Sequence, residues 1–258
     1  MPDNATWEHD WTEMEFPPNI GTFERMRVSA FEKRQTNVSA SYYEQATSTF
    51  LTIYAYRPGN PNPAIWFDRT LVAINVRSDD FGKIDLDDLK VGTFVPPGGS
   101  VESGQYAVTK VQGRAISTAA AIYRAGEWLI KVRISSERLN VGELETLTKS
   151  TLAGLPALED VSDNPAYFVE QCSNTVNYSR AEPVARGGNE GMAAALMLAS
   201  SLSGLDEDAG PSKPVRLCRE GPRAKEYNLF RPIDDSAGYT VAIGDAGSSI
   251  EVSEISDL

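Results

Sequence analysis

Between Trp128 and Ser135 the chain alternates, with Trp128, Ile130, Val132 and Ile134 on one side and Lys131, Arg133 and Ser135 on the other. A period of two specifies an extended strand, because successive side chains of a strand point to opposite faces. Residues 106–112 and 118–125 read as strands ahead of it, and Gly126-Glu127 forms the tight turn that leads into it. The pattern is that of an antiparallel sheet covered on one side. The same period appears earlier. Val38, Ala40 and Tyr42 alternate with Ser39, Ser41 and Tyr43, and Leu51, Ile53 and Ala55 alternate with Thr52, Tyr54 and Tyr56. β-Structure is therefore expected across Phe23 to Arg57, after a turn at Phe16 to Gly21.

The sheet needs cover, and two helical patterns can supply it. Ala64, Phe67, Leu71 and Ile74 fall at helical spacing just after the strand-breaking PGNPNP run at 58–63. A second helix begins after Asn140, with Glu143 three residues on as in a capping box. Leu144, Leu147, Thr151, Leu152 and Leu155 form its apolar stripe, and Gly154 and Pro156 end it. Residues 79–104, rich in Asp, Gly and Pro, read as a long connection with little regular structure. Beyond residue 158 the pattern is looser. Short strands are expected near 215–218 and 227–231, and a hairpin pairs 239–243 with 249–252 across GDAGS.

The expected class is α+β: an antiparallel sheet with packed helices, followed by a less regular C-terminal α+β region. Three parts follow: a polar N-terminal arm over 1–14, an α+β domain over 15–158 and an acidic region over 159–258. With 258 residues, 41% of them hydrophobic and 23% charged, the chain can bury a substantial core without metal or disulfide staples.

Charge narrows the partners. From Glu159 onward there are 8 Lys and Arg against 17 Asp and Glu, and the net charge of the chain is −12. Neutralising phosphates takes clustered Lys and Arg, so nucleic acid is not an expected partner, and neither is an anionic lipid surface. An acidic second half suits a basic protein partner, or simple solubility. No stretch approaches the roughly 20 apolar residues of a membrane span. The most apolar run, Met192 to Leu205, reads as a buried helix or an interface helix. The opening MPDNATWEHDW lacks the basic head and apolar stretch of a signal peptide. Two compartments stay open: periplasmic or secreted, with an export signal missing from this chain, or cytoplasmic.

No residue pattern specifies a reaction or a cofactor. His9, the one histidine, lies between Glu8 and Asp10 in the arm and reads as exposed or docked rather than as a general base. Two cysteines and one histidine, far apart, make no zinc motif. The segment 79–88 holds five carboxylates in ten residues. It does not match a calcium loop, and reads first as a solvated acidic loop. Asp85, Asp87 and Asp88 within it are the candidate metal ligands. Gly187 to Gly191 fits no phosphate-binding spacing. Tyr42, Tyr54, Tyr56 and Trp66 read as sheet packing, with an aromatic ligand groove as the alternative. Cys172 and Cys218 pair as a disulfide if the protein is exported and stay as buried thiols if it is cytoplasmic.

Phe16, Pro17, Ile20, Gly21, Phe23 and Arg25 form an "FP..IG.F.R" opening, followed by Thr52-Ile53-Tyr54 and by Trp128-Leu129-Ile130-Lys131-Val132-Arg133. In these motifs and in its order of elements, the span from Phe16 to Pro156 resembles the small α/β sandwich of PsbP-like proteins. The resemblance covers about half of the chain. It implies a noncatalytic, often exported module that works in assembly or as an accessory. The expected function is accordingly a noncatalytic accessory or protein-binding module of a bacterial envelope assembly. The alternative is a small-ligand or metal-binding protein, or an enzyme, with its site between the two halves.

Overall fold

The computed structural model describes residues 5–76, 83–84, 89–173, 215–233, 239–244 and 247–252. Among them the architecture is sheet-rich α+β, with antiparallel pairing between all named strands and two helices. The short strands β1 (Trp7–Glu8) and β2 (Glu15–Phe16) pair with each other. The strands β3 (Asn19–Ile20), β4 (Phe23–Ala30), β5 (Asn37–Glu44) and β6 (Thr49–Tyr56) follow in order at one side of the main sheet. The sheet continues through β11 (Trp128–Ser136), β10 (Ser117–Ala125) and β9 (Gly104–Gln112). Its far edge is shared by β7 (Lys83–Ile84) and β8 (Lys90–Phe94), which pair with different stretches of β9.

β8 is a strand where the composition suggests an irregular connection. Its glycine explains why the pattern is weak: a Cβ on Gly92 would sit 2.6 Å from the Tyr106 ring across the ladder. The position must be bare for the strand to pair.

Each face of the main sheet has its own core. On one face Val38, Ala40, Tyr42, Leu51, Ile53, Ile130, Val132 and Ile134 pack beneath α2 (Val141–Ala153). The Asn140–Glu143 capping box at the start of α2 is formed in full. On the other face Tyr56, Ala107, Ile122 and Leu129 pack against Ile65, Trp66, Phe67 and Leu71 of α1 (Pro63–Val76). This corrects the expectation of a sheet covered on one side. Helices cover opposite faces, so the central strand β10 is buried along nearly its whole length. Its small residues Ala119, Ala120 and Ala121 allow that close cover. Lys131, on the α1 face, is also buried, with its ammonium 4.9 Å from the Tyr54 ring centre and 5.4 Å from that of Tyr56.

A second, four-stranded antiparallel sheet, β12 (Leu217–Glu220), β13 (Tyr227–Pro232), β14 (Tyr239–Ile243) and β15 (Ser248–Val252), lies beyond α1. The terminal hairpin expected from the sequence is present, with Tyr239 opposite Val252 and Ile243 opposite Ser248. Phe230 and Ala242 from this sheet join the α1 core. The helix is thus held between two sheets, and buried polar groups fix it there. The Arg69 guanidinium donates to Gly244 O at 2.7 Å, Ala224 O at 2.6 Å, Asn228 Oδ1 at 2.6 Å and Lys225 O at 2.7 Å. Its neighbour Asp68 accepts from Arg219 and Arg223 at 2.8 and 2.7 Å through the same oxygen.

The arm packs on the sheet through Trp7 and His9, while Trp11 stays exposed. His9 is fully buried, Trp7 packs on Phe16, and the His9 ring meets the edge of Trp128 at 4.9 Å. Arg25 of the "FP..IG.F.R" opening donates to Phe16 O and, at 2.7 Å, to Ala5 O. That motif position therefore holds the arm against β4.

Candidate functional site

After α2 the chain runs as an extended strap from the main sheet to the second one. Each step is a backbone hydrogen bond: Gly126 N–H to Asp160 O at 2.8 Å, Ser162 N–H to Arg124 O at 3.1 Å and Ala166 N–H to Glu102 O at 2.9 Å. Further on, Arg219 N–H donates to Glu170 O at 2.8 Å and Cys172 N–H to Arg219 O at 2.9 Å, a short parallel bridge onto β12. A disulfide between Cys172 and Cys218 closes the strap on that strand. The local geometry follows from composition: a segment with Pro165 and no helical or alternating pattern pairs singly with whatever lies beside it.

Where the strap passes the N-terminus of α1, a cleft of about 550 Å³ opens. Its floor and walls come from the PGNPNP run, from Gln105 at the start of β9, from the strap itself and from Val215-Arg216 ahead of β12. The helix start is set by the sequence. Pro63 occupies the first turn, where its missing N–H costs nothing, and Asn62 Oδ1 accepts from Ala64 N–H at 3.0 Å.

That cap orients the rest of the site. With Oδ1 committed to the helix, the Asn62 amide presents Nδ2, which donates to the Tyr167 hydroxyl oxygen at 2.9 Å. Leu217 N–H donates to the same oxygen at 3.2 Å. Tyr167 Oη thus accepts twice, and its own proton has no acceptor among the described residues. Burial pushes the phenol above its ordinary value of 10.0, opposed by the two hydrogen bonds and by the charge of Arg216. The hydroxyl keeps its proton and is a hydrogen-bond donor. Gln105 Nε2 donates to Tyr167 O at 2.7 Å and fixes the backbone below; Gln105 Oε1 is enclosed and has no partner among the described residues.

The Arg216 guanidinium lies 5.6 Å from the centre of the Tyr167 ring. It is solvent-exposed and makes no ion pair among the described residues. Arg124, the second arginine of the lining, is already engaged: its Nε donates to Gly126 O at 2.6 Å and Nη2 lies 3.5 Å from Glu127. Among the described residues the lining holds these two arginines and no carboxylate, in a chain of net charge −12. Field and hydrogen-bond geometry both favour an acceptor with negative charge.

The metal candidates Asp85, Asp87 and Asp88, the glycine run at 187–191 and the apolar run at 192–205 lie outside the described residues. Among the described residues no three His, Cys, Asp or Glu side chains converge as a metal site, and no helix is long and apolar enough to cross a membrane. Of the aromatic group, Tyr42, Tyr56 and Trp66 are fully buried as packing. Trp66 Nε1 donates to Asn60 O at 2.6 Å, so it braces the cleft from behind. Tyr167, Arg216, Asn62 and Gln105 do not stand out in the sequence. The one available signal is Asn62-Pro63, a helix-start pair inside a run that otherwise reads only as a break.

Compared with known proteins, the chain matches no family model, no curated protein and no solved structure.

Proposed function

We propose that this chain is a noncatalytic accessory module of a bacterial envelope assembly, exported to the periplasm or cell surface, and that it holds its partner in the cleft. The observation that carries this reading is the pair formed by Tyr167 and Arg216. Among the described residues, a hydroxyl proton without an acceptor and a guanidinium without a carboxylate stand side by side in the lining of one cavity. The parts around them are fixed by the α1 cap, the strap and the buried contacts of Asp68 and Arg69, which suits recognition by a preformed surface. The Cys172–Cys218 bridge supports an oxidising compartment, since such bonds persist outside the cytoplasm. The PsbP-like order of elements from Phe16 to Pro156 supports an accessory role by analogy of fold.

The alternative of a small-ligand site between the two halves gains support from the place of the cleft, whose walls come from both sides of residue 158. Carboxylates at 79–88 are no part of that support.

The test is comparative capture from the native host. Tagged wild-type protein and the Arg216→Gln variant are expressed at equal levels, and the periplasmic and envelope fractions are cross-linked and compared by mass spectrometry. The expected result is recovery of the protein in those fractions, with a discrete partner retained by the wild type and lost from the variant. Recovery in the cytoplasm with free thiols, or identical partners on both proteins, would contradict the reading.

A further inference from the structure

We infer that the cleft takes an organic carboxylate, held by its charged head between Arg216 and Tyr167 and by its apolar body along the proline-lined wall. This deepens the reading of the cleft as the binding site and rests on it. Three observations carry it, and each concerns a different part of the ligand.

The head group is set by what the site offers. Tyr167 supplies one O–H donor, because two N–H groups already occupy the acceptor capacity of the oxygen. Arg216 supplies a planar fork of N–H donors, with the guanidinium carbon over the same ring at 5.6 Å from its centre. The exposed guanidinium makes no ion pair among the described residues, and its N–H edge matches the two oxygens of a carboxylate. The hydroxyl proton adds a third hydrogen bond to one of those oxygens.

The body is set by the walls. Pro61, Pro63, Ala64, Pro165, Ala166 and Val215 present apolar surface to the same cavity. The prolines of the lining, Pro61 and Pro63 ahead of α1 and Pro165 in the strap, hold that surface without losing side-chain freedom when it is covered. Inorganic phosphate would leave these walls wet. An aliphatic or aromatic acid covers them and fits a volume of about 550 Å³, which lies within the range of small-molecule sites.

The charge of the ligand is set by the background. The described lining holds arginine without carboxylate, whereas the chain as a whole is strongly acidic. The acidic balance of the chain favours cations in general, whereas the carboxylate-free lining with Arg216 favours an anion at this place. Arg124 is tied to Glu127 and Gly126, which leaves Arg216 as the arginine of the lining without an ion pair among the described residues.

Such a carboxylate has two sources: a free small acid, or the C-terminus of a polypeptide with apolar last residues. The experiment is a titration of isotope-labelled full-length protein followed through the backbone amides of Ala166, Tyr167 and Leu217. The probes are benzoate and hexanoate, their amides benzamide and hexanamide, inorganic phosphate, and one apolar pentapeptide with a free or an amidated C-terminus. Acids are expected to shift these amides and to bind roughly tenfold or more tightly than the matched amides, the value of a lost charge-assisted contact. Arg216→Gln abolishes the preference, and Arg216→Lys, which keeps the charge without the fork, restores only part of it. Tyr167→Phe keeps the ring and weakens the acids alone; should that variant fold poorly, the Arg216 series carries the test.

A free-ended peptide that outbinds the small acids places the source in a protein terminus, and the reverse order places it in a metabolite; both outcomes support the inference. Acids and amides binding equally at the cleft would overturn the carboxylate while leaving the cleft as a binding site. Phosphate binding as well as the acids would overturn the role of the apolar wall. No response to any probe would overturn the inference, and the capture comparison then decides the underlying reading by itself.

Discussion

Asp68 and Arg219, 151 residues apart, meet as a buried ion pair at 2.8 Å, with side-chain exposures of 2% and 8%. Arg223 donates to the same Asp68 oxygen at 2.7 Å from a more exposed position. The two contacts join α1 to β12 and to the turn that follows it, and so fix the second sheet relative to the wall of the cleft.

Removing one partner of a buried pair leaves a charge without compensation, at a cost of about 3–5 kcal/mol. Asp68→Ala should therefore lower stability in urea unfolding by about 3 kcal/mol or more, far beyond the effect of Arg114→Ala at the exposed Glu137 pair. An Asp68→Ala effect below about 1 kcal/mol would show that the second sheet is held chiefly by the apolar contacts of Phe230 and Ala242.

The disulfide closes a segment of 46 residues. Chain-entropy reasoning gives about 4 kcal/mol for a loop of this length, and native strain or denatured-state structure reduces it. Paired Cys172→Ser and Cys218→Ser substitutions should lower the unfolding free energy by about 2–4 kcal/mol. Because the bridge lies on the strap, the variant should also speed hydrogen exchange at the amides of Cys172 and Arg219. Unchanged exchange there would contradict the role assigned to the strap.

His9 gives the arm a pH dependence whose sign is fixed. Its Nε2 lies 2.9 Å from Gln35 O, so that nitrogen is the donor, and Nδ1 accepts from the Thr12 hydroxyl at 2.8 Å. Burial lowers the imidazole from its ordinary 6.5, against smaller opposing effects of the Gln35 carbonyl and Asp10. A histidine buried neutral binds its proton later than the unfolded chain does. Stability is then complete above pH 6.5 and falls as the pH drops from there towards the lowered folded value. Tryptophan fluorescence should report it, since Trp7 and Trp128 flank the ring at 5.8 and 4.9 Å. Wild-type emission should change on acidification with a midpoint below the ordinary 6.5, and His9→Gln should flatten that change. An identical profile in both proteins would contradict the assignment.

Gly98 sits at φ +86°, and a Cβ there would fall 2.3 Å from Leu158 O, at the head of the strap. Gly98→Ala combines a left-handed backbone with a clash against main chain, so it should cost more than about 1 kcal/mol. Its nearest consequence should be faster exchange at Gly126 and Ser162, whose amides bond the strap to the hairpin of β10 and β11. Stability within about 0.5 kcal/mol of wild type would mean that the 158–162 segment moves aside freely.

Period two and period 3.6 are local properties, and they located the strands from Phe23 to Arg57, the β10–β11 hairpin and both helices. The capping box at Asn140 is likewise written in four consecutive residues. What escaped the pattern depended on neighbours remote in sequence. Lys131 looks like an outward residue until the Tyr54 and Tyr56 rings and α1 cover it. β8 hides its strand character because Gly92 serves the ring of Tyr106. Arg69 and Asp68 lie within an apolar helical pattern, and only the second sheet gives them partners. The cleft was least legible of all. Its donors come from Asn62, Tyr167, Arg216 and Leu217, four positions with no shared motif, joined by a strap that has no period to read.

The most direct measurement places a photo-crosslinking amino acid at Val215, an exposed residue on the rim of the cleft, and in a second protein at Met26, exposed on β4. Both proteins are irradiated in the native host and resolved by mass. A discrete adduct from Val215 that disappears with Arg216→Gln, and that Met26 does not give, is the predicted result. No adduct from Val215, or the same adducts from both positions, would contradict the cleft as the place where this protein does its work.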